Sequence, residues 1–479
     1  MVFSSVIFLF YFLPLFLAAY LCLPRWRAAV IVVGSFVFYA WGEPRYVPLL
    51  ALVILLNWGF GLALGRAGTW RRAMLAAGVA ADLAILVFYK YVGFLAAQVD
   101  ALLGLAGIAR QPHLSVPLPL GISFFTFQGI SYLIDIYRGD VAAQPSLLKF
   151  AMYKSMFPQL IAGPIVRYRQ IAAEIDTLAV DAVRLRRGIE LFVLGLAQKV
   201  LIANTVALPA DQIFALPPSL LTGATAWLGA VCYMVQIFFD FSGYTNMAIG
   251  LGHMMGLTLP RNFDRPYQAQ SVTEFWRRWH ITLSSWFRDY LYIPLGGNRC
   301  GGLRTGANLL AVFVLCGLWH GASWTFAVWG LYHGAFLIAE RAFRSVASFH
   351  IWRPLRHAYL LLAVLVGWVL FRADTLSHAG AMLRAMAGFS AAGPLAMPPE
   401  RYATASVATA LAAAALLIAA PPLASWRDAL RVAGARPLPR PAAALALDGA
   451  RIAWVLSLFL LTATALSAGT YNPFIYFRF

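Results

Sequence analysis

The chain has 479 residues, 61% hydrophobic and 12% charged, with a mean hydropathy of +0.73. Soluble domains carry about 25% charged residues, so this composition excludes a soluble enzyme and describes an integral membrane protein. The net charge of +18 comes mostly from basic residues in short linkers between apolar runs. The positive-inside rule and anionic lipid account for such linkers, and nucleic acid is not expected as a partner.

The first apolar run, residues 3–23, has no basic residues before it and is too long for a signal peptide core, so it reads as an uncleaved first span. Further candidates lie at 28–42, 46–65, 73–97, 117–137, 148–166, 188–208, 223–256, 307–322, 323–340, 357–371, 404–424 and 452–469. A span needs about 20 apolar residues, so the chain is expected to be an all-α bundle of roughly 11–13 membrane segments, some of them half-spans. Basic residues follow the first and third spans (Pro24–Arg27, Arg66–Arg72), which predicts an outside N-terminus and cytoplasmic basic loops. Proline and glycine break the apolar pattern at Pro117–Gly121 and at FPQLIAGPIVRY, Phe157–Tyr168. Irregular backbone at membrane depth is tolerated where protein or a cavity covers it, so these segments are expected to be re-entrant or kinked around an internal chamber. For the second, a surface loop is an equal alternative.

Farther along, Asp240, Ser242, Tyr244 and Asn246 interrupt the apolar segment Ile237–Gly256. Buried polar groups need partners. Asp240 suits either orienting a histidine or, by preference, structural pairing with an arginine; Asp240, Tyr244 and Asn246 are candidate substrate contacts. Next, Trp276, Trp279, His280, Leu283 and Phe287 follow helical spacing, which predicts one amphipathic helix with Ser284 on the face of His280. Arg277, Arg278 and Arg288 project elsewhere and suit anionic groups at an interface. Trp276, Arg277 and Ser284 are candidate substrate contacts, and the plainer alternative is a surface helix anchored by Trp and Arg.

From Ala307 to Ile338 the chain carries no Asp, Glu, Lys or Arg, and His320 lies near the middle. An ionisable group at membrane depth is costly and is usually kept for function. On one continuous helix Cys316, Gly317, Ser323 and Trp324 share its face, with Trp319 and Gly321 flanking. Gly317 and Ser323 leave room for a substrate, and Trp319 and Ser323 are candidate contacts. Burial favours the neutral imidazole, which suits a general base. The alternative is a core histidine hydrogen-bonded between helices. On an unbroken helix His333 would be turned by about 220° from His320, so His333 reads as structural, and His253 is a weaker candidate. The segments 389–403 and 425–447 are expected as surface loops, and the terminal spans as scaffold. The four cysteines form no close pair, and neither H-E-x-x-H, a P-loop nor G-x-S-x-G occurs, so no metal or disulfide framework is expected.

At these residues the chain resembles the membrane-bound O-acyltransferases (MBOAT), in particular the bacterial alginate O-acetyltransferase type. The resemblance rests on MVFSSVIFLFYFLP, PLGISFFTFQGISYLIDIYRG, FPQLIAGPIVRY, IFFDFSGYTNMAIGLGHMMG, FWRRWHITLSSWFRDYLYIPLGGNR, GLWHGASWTFAVWGLYHG and the C-terminal NPFIYFRF. It covers most of the chain up to about residue 375, so residues 1–375 are expected to form the acyltransferase core and 376–479 to complete one bundle. The resemblance implies a multi-helix bundle around a central chamber, with His320 at the catalytic histidine. It places His280 at a second signature position, which is asparagine, aspartate or histidine in different branches. It also implies acetyl-CoA as the donor substrate with no bound cofactor, an inner-membrane location, and export of the acyl group for O-acetylation of an exopolysaccharide. A periplasmic esterase-like partner would often complete the transfer. The alternatives are an acyl conduit or transporter without transferase chemistry, and an acyltransferase for cellulose, peptidoglycan or teichoic acid.

Overall fold

The computed structural model describes residues 1–66, 68–107, 116–346, 352–420, 441–469 and 471–474. The expected loop at 425–447 lies largely outside them, as do residues 475–479 of the C-terminal motif. Among the described residues every element is helical, apart from an isolated bridge between Leu221 and Met397.

A π turn, Phe8–Phe12, runs into α1 (Leu13–Cys22), and a 3₁₀ turn at Pro24–Trp26 leads to α2 (Arg27–Gly42). The chain bends by 105° between them. Pro24 cannot continue the α1 ladder because it lacks an N–H, which puts the bend there. Then come α3 (Val47–Arg66), α4 (Arg71–Lys90), α5 (Val92–Leu105), α6 (Ile122–Arg138), α7 (Leu147–Ser155), α8 (Phe157–Leu160) and α9 (Tyr168–Thr177). α10 (Ala182–Ala197), a π turn (Gln198–Ala203) and α11 (Asn204–Phe214) make one rod, and α12 (Gly223–Met254) makes another. The chain continues through α13 (Val272–Arg278), α14 (Ile281–Phe287), α15 (Gly302–His320), α16 (Trp324–Val346), α17 (Arg353–Arg372), α18 (Leu376–Met386), α19 (Ala405–Ala419) and α20 (Pro441–Ala468).

Among the described residues seven helices are long and apolar enough to cross a membrane, and the bent α1–α2 pair makes up to eight. α5 and α19 are shorter apolar helices. The remaining expected segments are the half-length ones. α6 has 17 residues and is buried along nearly its whole length, and the 148–166 run breaks into α7, α8 and a turn. Residues 157–168 are all buried, so this segment is interior and not a surface loop.

Two contacts show how the bundle closes. α10 and α12 meet backbone to backbone. A Cβ at Gly188 would lie 2.6 Å from the Gly250 carbonyl oxygen, and one at Gly195 would lie 2.4 Å from that of Gly243. Small residues that let helix backbones approach are the usual device where lipid supplies no hydrophobic drive. α15 and α16 do the same, since a Cβ at Gly317 would lie 2.1 Å from the Phe326 carbonyl oxygen. Gly317→Ala is therefore expected to lower stability by about 1–3 kcal/mol through overpacking. Thermal unfolding in detergent checks this, and an unchanged midpoint would contradict the contact.

The C-terminal segment is built into the interior. Lys199, from the π turn after α10, pairs with Asp240 of α12 at 2.8 Å, and both side chains are almost fully buried (2% and 1% exposed). Lys199 also donates to Asn204 Oδ1 (2.8 Å) and to the Pro473 carbonyl. Asn472 donates to the Ser4 carbonyl (2.7 Å) and accepts from Ser4 Oγ (3.1 Å), tying the tail to the first turn of the chain. Phe474 stacks on Tyr244, which stacks on Phe3 from its other neighbour side at 4.5 Å.

Candidate active site

His320 is the last residue of α15, not the middle of a continuous helix. Gly321 is extended (φ −164°), and the chain restarts at α16 after Ser323, whose hydroxyl accepts from the Thr325 amide at 3.3 Å. The single helix expected across 307–338 is thus replaced by a helix–break–helix. Ser323 and Trp324 do not share the helical face of His320: Ser323 caps α16, and Trp324 is exposed and donates to Gln98 Oε1 (3.0 Å). The break also removes the 220° argument about His333. The rings of His320 and His333 both pack against Trp329, at 5.3 and 5.1 Å. His333 accepts from Trp276 Nε1 (3.4 Å) and belongs to the aromatic wall of the site.

A helix end leaves carbonyls without partners. Here two residues from the start of the chain supply them. Tyr91 donates its hydroxyl to the Leu318 carbonyl (2.8 Å), and the Lys90 ammonium donates to the carbonyls of Trp319 and His320 and to Ser123 Oγ (3.1 Å). A cation at a helix C-terminus also complements the dipole. The spacing arguments missed Lys90 and Tyr91. The available signal was a lone cation near the end of an apolar helix, which deserves the same suspicion as a lone histidine.

The His320 imidazole packs edge-on against Trp319 (5.0 Å), Trp329 (5.3 Å) and Phe371 (5.1 Å). Among the described residues neither ring nitrogen has a hydrogen-bond partner, and the residue borders a cleft of about 40 Å³. Lys90, Gly121, Ser123, Ile161 and Trp319 also line that cleft. Both Pro- and Gly-broken segments therefore reach it, the first through Pro119–Gly121 and the second through Ile161. Gly121 is left-handed (φ +78°), and a Cβ there would lie 2.3 Å from the Leu160 carbonyl oxygen. Only glycine fits both demands.

His280 packs against the same Trp319 that flanks His320, with its ring 6.2 Å from the indole. The expected single helix from Trp276 to Phe287 is instead two short helices. α13 ends at the extended Trp279, and His280 is left-handed (φ +43°, ψ +53°) before α14 begins. The amides that start α14 are met by a residue about 20 positions earlier: Ile281 N–H donates to the Asn262 carbonyl (2.9 Å), and Thr282 N–H to Asn262 Oδ1 (3.2 Å). His280 Nδ1 lies 3.0 Å from the same Oδ1. Glu340 of α16 holds the start of α13, accepting from the amides of Val272 (2.6 Å) and Thr273 (2.9 Å).

A second, larger cavity of about 610 Å³ lies between α13–α14 and α15. Trp276, Arg277 and Ser284 line it, as do Arg288 and Cys316, one turn before His320 on α15. Trp276, Arg277 and Ser284, singled out from sequence, thus meet at one largely apolar cavity, where Arg288 adds a second arginine. Arg288 is bound to Asp289 (2.6 Å), and Arg167 reaches the same carboxylate at 2.7 Å. Burial alone would raise the Asp289 carboxyl, but these hydrogen bonds outweigh it and hold it below the ordinary carboxylate value.

The other expected contacts do not gather at the histidines. Asp240 pairs with Lys199, Tyr244 is packed between Phe3 and Phe474, and Asn246 donates to Gln198 Oε1 (2.9 Å). Facing inward on α12 gave them partners in the scaffold, while Phe241 of that stretch packs edge-on against the His280 ring at 4.7 Å. Among the described residues no three His, Cys, Asp or Glu side chains gather as a metal site would.

The MBOAT sequence profile, that of the membrane-bound O-acyltransferase family, matches residues 140–374, which hold both histidines and the lining of the larger cavity. Over its whole length the chain is 43% identical to the whole of a probable alginate O-acetylase, AlgI, of Pseudomonas putida. The chain belongs to the MBOAT family. Its likeness to the probable alginate O-acetylase of Pseudomonas aeruginosa is 44%, covering 81% of this chain and 75% of that one. A peptidoglycan O-acetyltransferase of Helicobacter pylori is 36% identical over 81% of this chain and 80% of its own. This MBOAT protein is a multi-pass O-acyltransferase of the inner membrane, and its helical bundle is the one the motifs implied.

Proposed function

We propose that this MBOAT protein takes an acetyl group from acetyl-CoA and passes it across the membrane for O-acetylation of alginate or a similar exopolysaccharide. One observation carries the reading: the His320 imidazole, buried and without a hydrogen-bond partner among the described residues, borders a cleft beside Trp319. The full-length likeness to probable alginate O-acetylases supports the acceptor.

The chemistry follows from the placement. The incoming nucleophile attacks the thioester carbonyl carbon, a carbon–oxygen bond forms, and the carbon–sulfur bond breaks. His320 takes the hydroxyl proton and returns it to the departing thiolate, or it first carries the acetyl group itself as an acyl-imidazole. Burial of the imidazole among Trp319, Trp329 and Phe371 limits competition from water. His280 assists by hydrogen bonding. The 610 Å³ cavity suits the donor, with Arg277 and Arg288 for its phosphates and apolar walls for its pantetheine arm. A periplasmic esterase-like partner completes transfer to the polymer.

Deletion of the gene is expected to remove ester-linked acetate from secreted alginate. Acetate lost from peptidoglycan or cellulose instead would reassign the acceptor. Purified protein is expected to release free CoA from acetyl-CoA, and none would be released by a conduit.

A further inference from the structure

We propose that Asn262 is a positioning residue that holds His280 as its Nδ1–H tautomer and leaves the Nε2 lone pair as the site's second proton acceptor. The inference rests on the acyl-transfer reading above and adds to it the state of the second histidine.

The tautomer follows from a chain of donors and acceptors. The Ile165 amide donates to Thr282 Oγ1 at 3.0 Å, so that oxygen is occupied as an acceptor and its own hydrogen points onward. It donates to Asn262 Oδ1 at 3.0 Å, and the Thr282 amide donates to the same atom at 3.2 Å. An amide N–H can only donate, so the Asn262 atom it meets is the oxygen; turning the amide over would set two donors face to face. His280 Nδ1 lies 3.0 Å from that oxygen. An imidazole nitrogen facing a carbonyl-type oxygen carries the hydrogen. In the neutral ring the lone pair therefore sits on Nε2.

Nε2 is buried and has no hydrogen-bond partner among the described residues, while the ring is fixed by Phe241 at 4.7 Å and by Trp319 at 6.2 Å. Buried polar atoms in folded proteins are nearly always paired, and those left unpaired cluster where a ligand or a reacting group completes the bond. The backbone is spent on the same end. His280 is one of three non-glycine residues with positive φ among the described residues, and that conformation turns the ring back toward Asn262. The bare nitrogen thus lies on the imidazole edge away from Asn262, in a ring that packs against Trp319, which itself packs against His320 at 5.0 Å.

The test uses full-length protein in detergent with ¹⁵N-labelled histidine, the His280 signals being assigned by their loss in His280→Gln. The expected spectrum has a protonated Nδ1 and a bare Nε2. Asn262→Leu is expected to lower the acetyl-transfer kcat by about 10²-fold with the KM for acetyl-CoA little changed. Asn262→Asp keeps an oxygen in place and is expected to restore most of the rate. A bare Nδ1 with a protonated Nε2 in the wild-type spectrum overturns the inference, as does a wild-type kcat in Asn262→Leu. The spectrum needs no variant at position 262, so a poorly folding Asn262→Leu protein does not blunt the test. A wild-type protein that moves no acetyl group counts against the acyl-transfer reading instead.

Discussion

His320→Ala is expected to abolish acetyl transfer while the protein remains folded and inserted. General acid–base catalysis contributes about 10²–10⁴-fold, and the loss is complete if the imidazole itself carries the acyl group. The architecture separates this loss from unfolding. Lys90 and Tyr91 grip the backbone carbonyls of residues 318–320, not the histidine ring, so the end of α15 stays capped when the ring is removed. What remains is a small gap among Trp319, Trp329 and Phe371. Two measurements check this together: ester-linked acetate on the polymer of cells carrying the variant, and size-exclusion of the variant in detergent. Acetylation retained by a folded variant removes His320 from the chemistry.

Lys199→Met is expected to be the most damaging scaffold change, costing about 3–5 kcal/mol. Asp240 would lose the cation 2.8 Å away while almost fully buried (1% exposed), and the Pro473 carbonyl would lose the ammonium that holds the tail. The sign comes from burial. An exposed pair at the same distance would contribute about 1 kcal/mol or less, because water screens both charges. In a dry interior the cost lies in stranding one charge, so Lys199→Met combined with Asp240→Leu is expected to recover much of the loss. Thermal unfolding of the single and double variants in detergent reads both effects. A double variant no more stable than the single one would show that Asp240 is held chiefly by something other than Lys199.

The two histidines were legible because imidazoles in apolar surroundings are rare and costly, whatever the fold. Trp276, Arg277 and Ser284 were each picked out in the sequence, but their meeting at one cavity was not legible, because helical spacing pointed Arg277 and Arg288 away from the His280 face. The breaks themselves were not legible. Trp279–His280 and Gly321–Ser323 interrupt good helical periodicity, and what stabilises each interruption comes from far along the chain: Asn262 in one case, Lys90 and Tyr91 in the other. Periodicity reports which face is apolar, and says nothing of a cap delivered by another segment. The same gap explains Tyr244 and Asn246. Polar interruptions in α12 marked burial correctly, but burial next to Phe3, Gln198 and the C-terminal tail looks the same in sequence as burial next to a substrate. The count of spans was generous for a related reason. Interior helices such as α6 are as apolar as lipid-facing ones yet need not reach across the bilayer.

The left-handed backbone at residue 280 also bears on what chemistry the position can host. Outside glycine, that region of conformational space is visited mainly by asparagine, aspartate and histidine. These are the three residues that the resemblance implies at this signature position in different branches. Main-chain geometry thus biases the position toward these side chains before selection for any acyl group or acceptor begins, although Leu178 and Arg265 occupy the same region elsewhere in the chain. Glutamine, serine or a β-branched residue would have to strain the turn to stand there, however well its functional group suited the reaction.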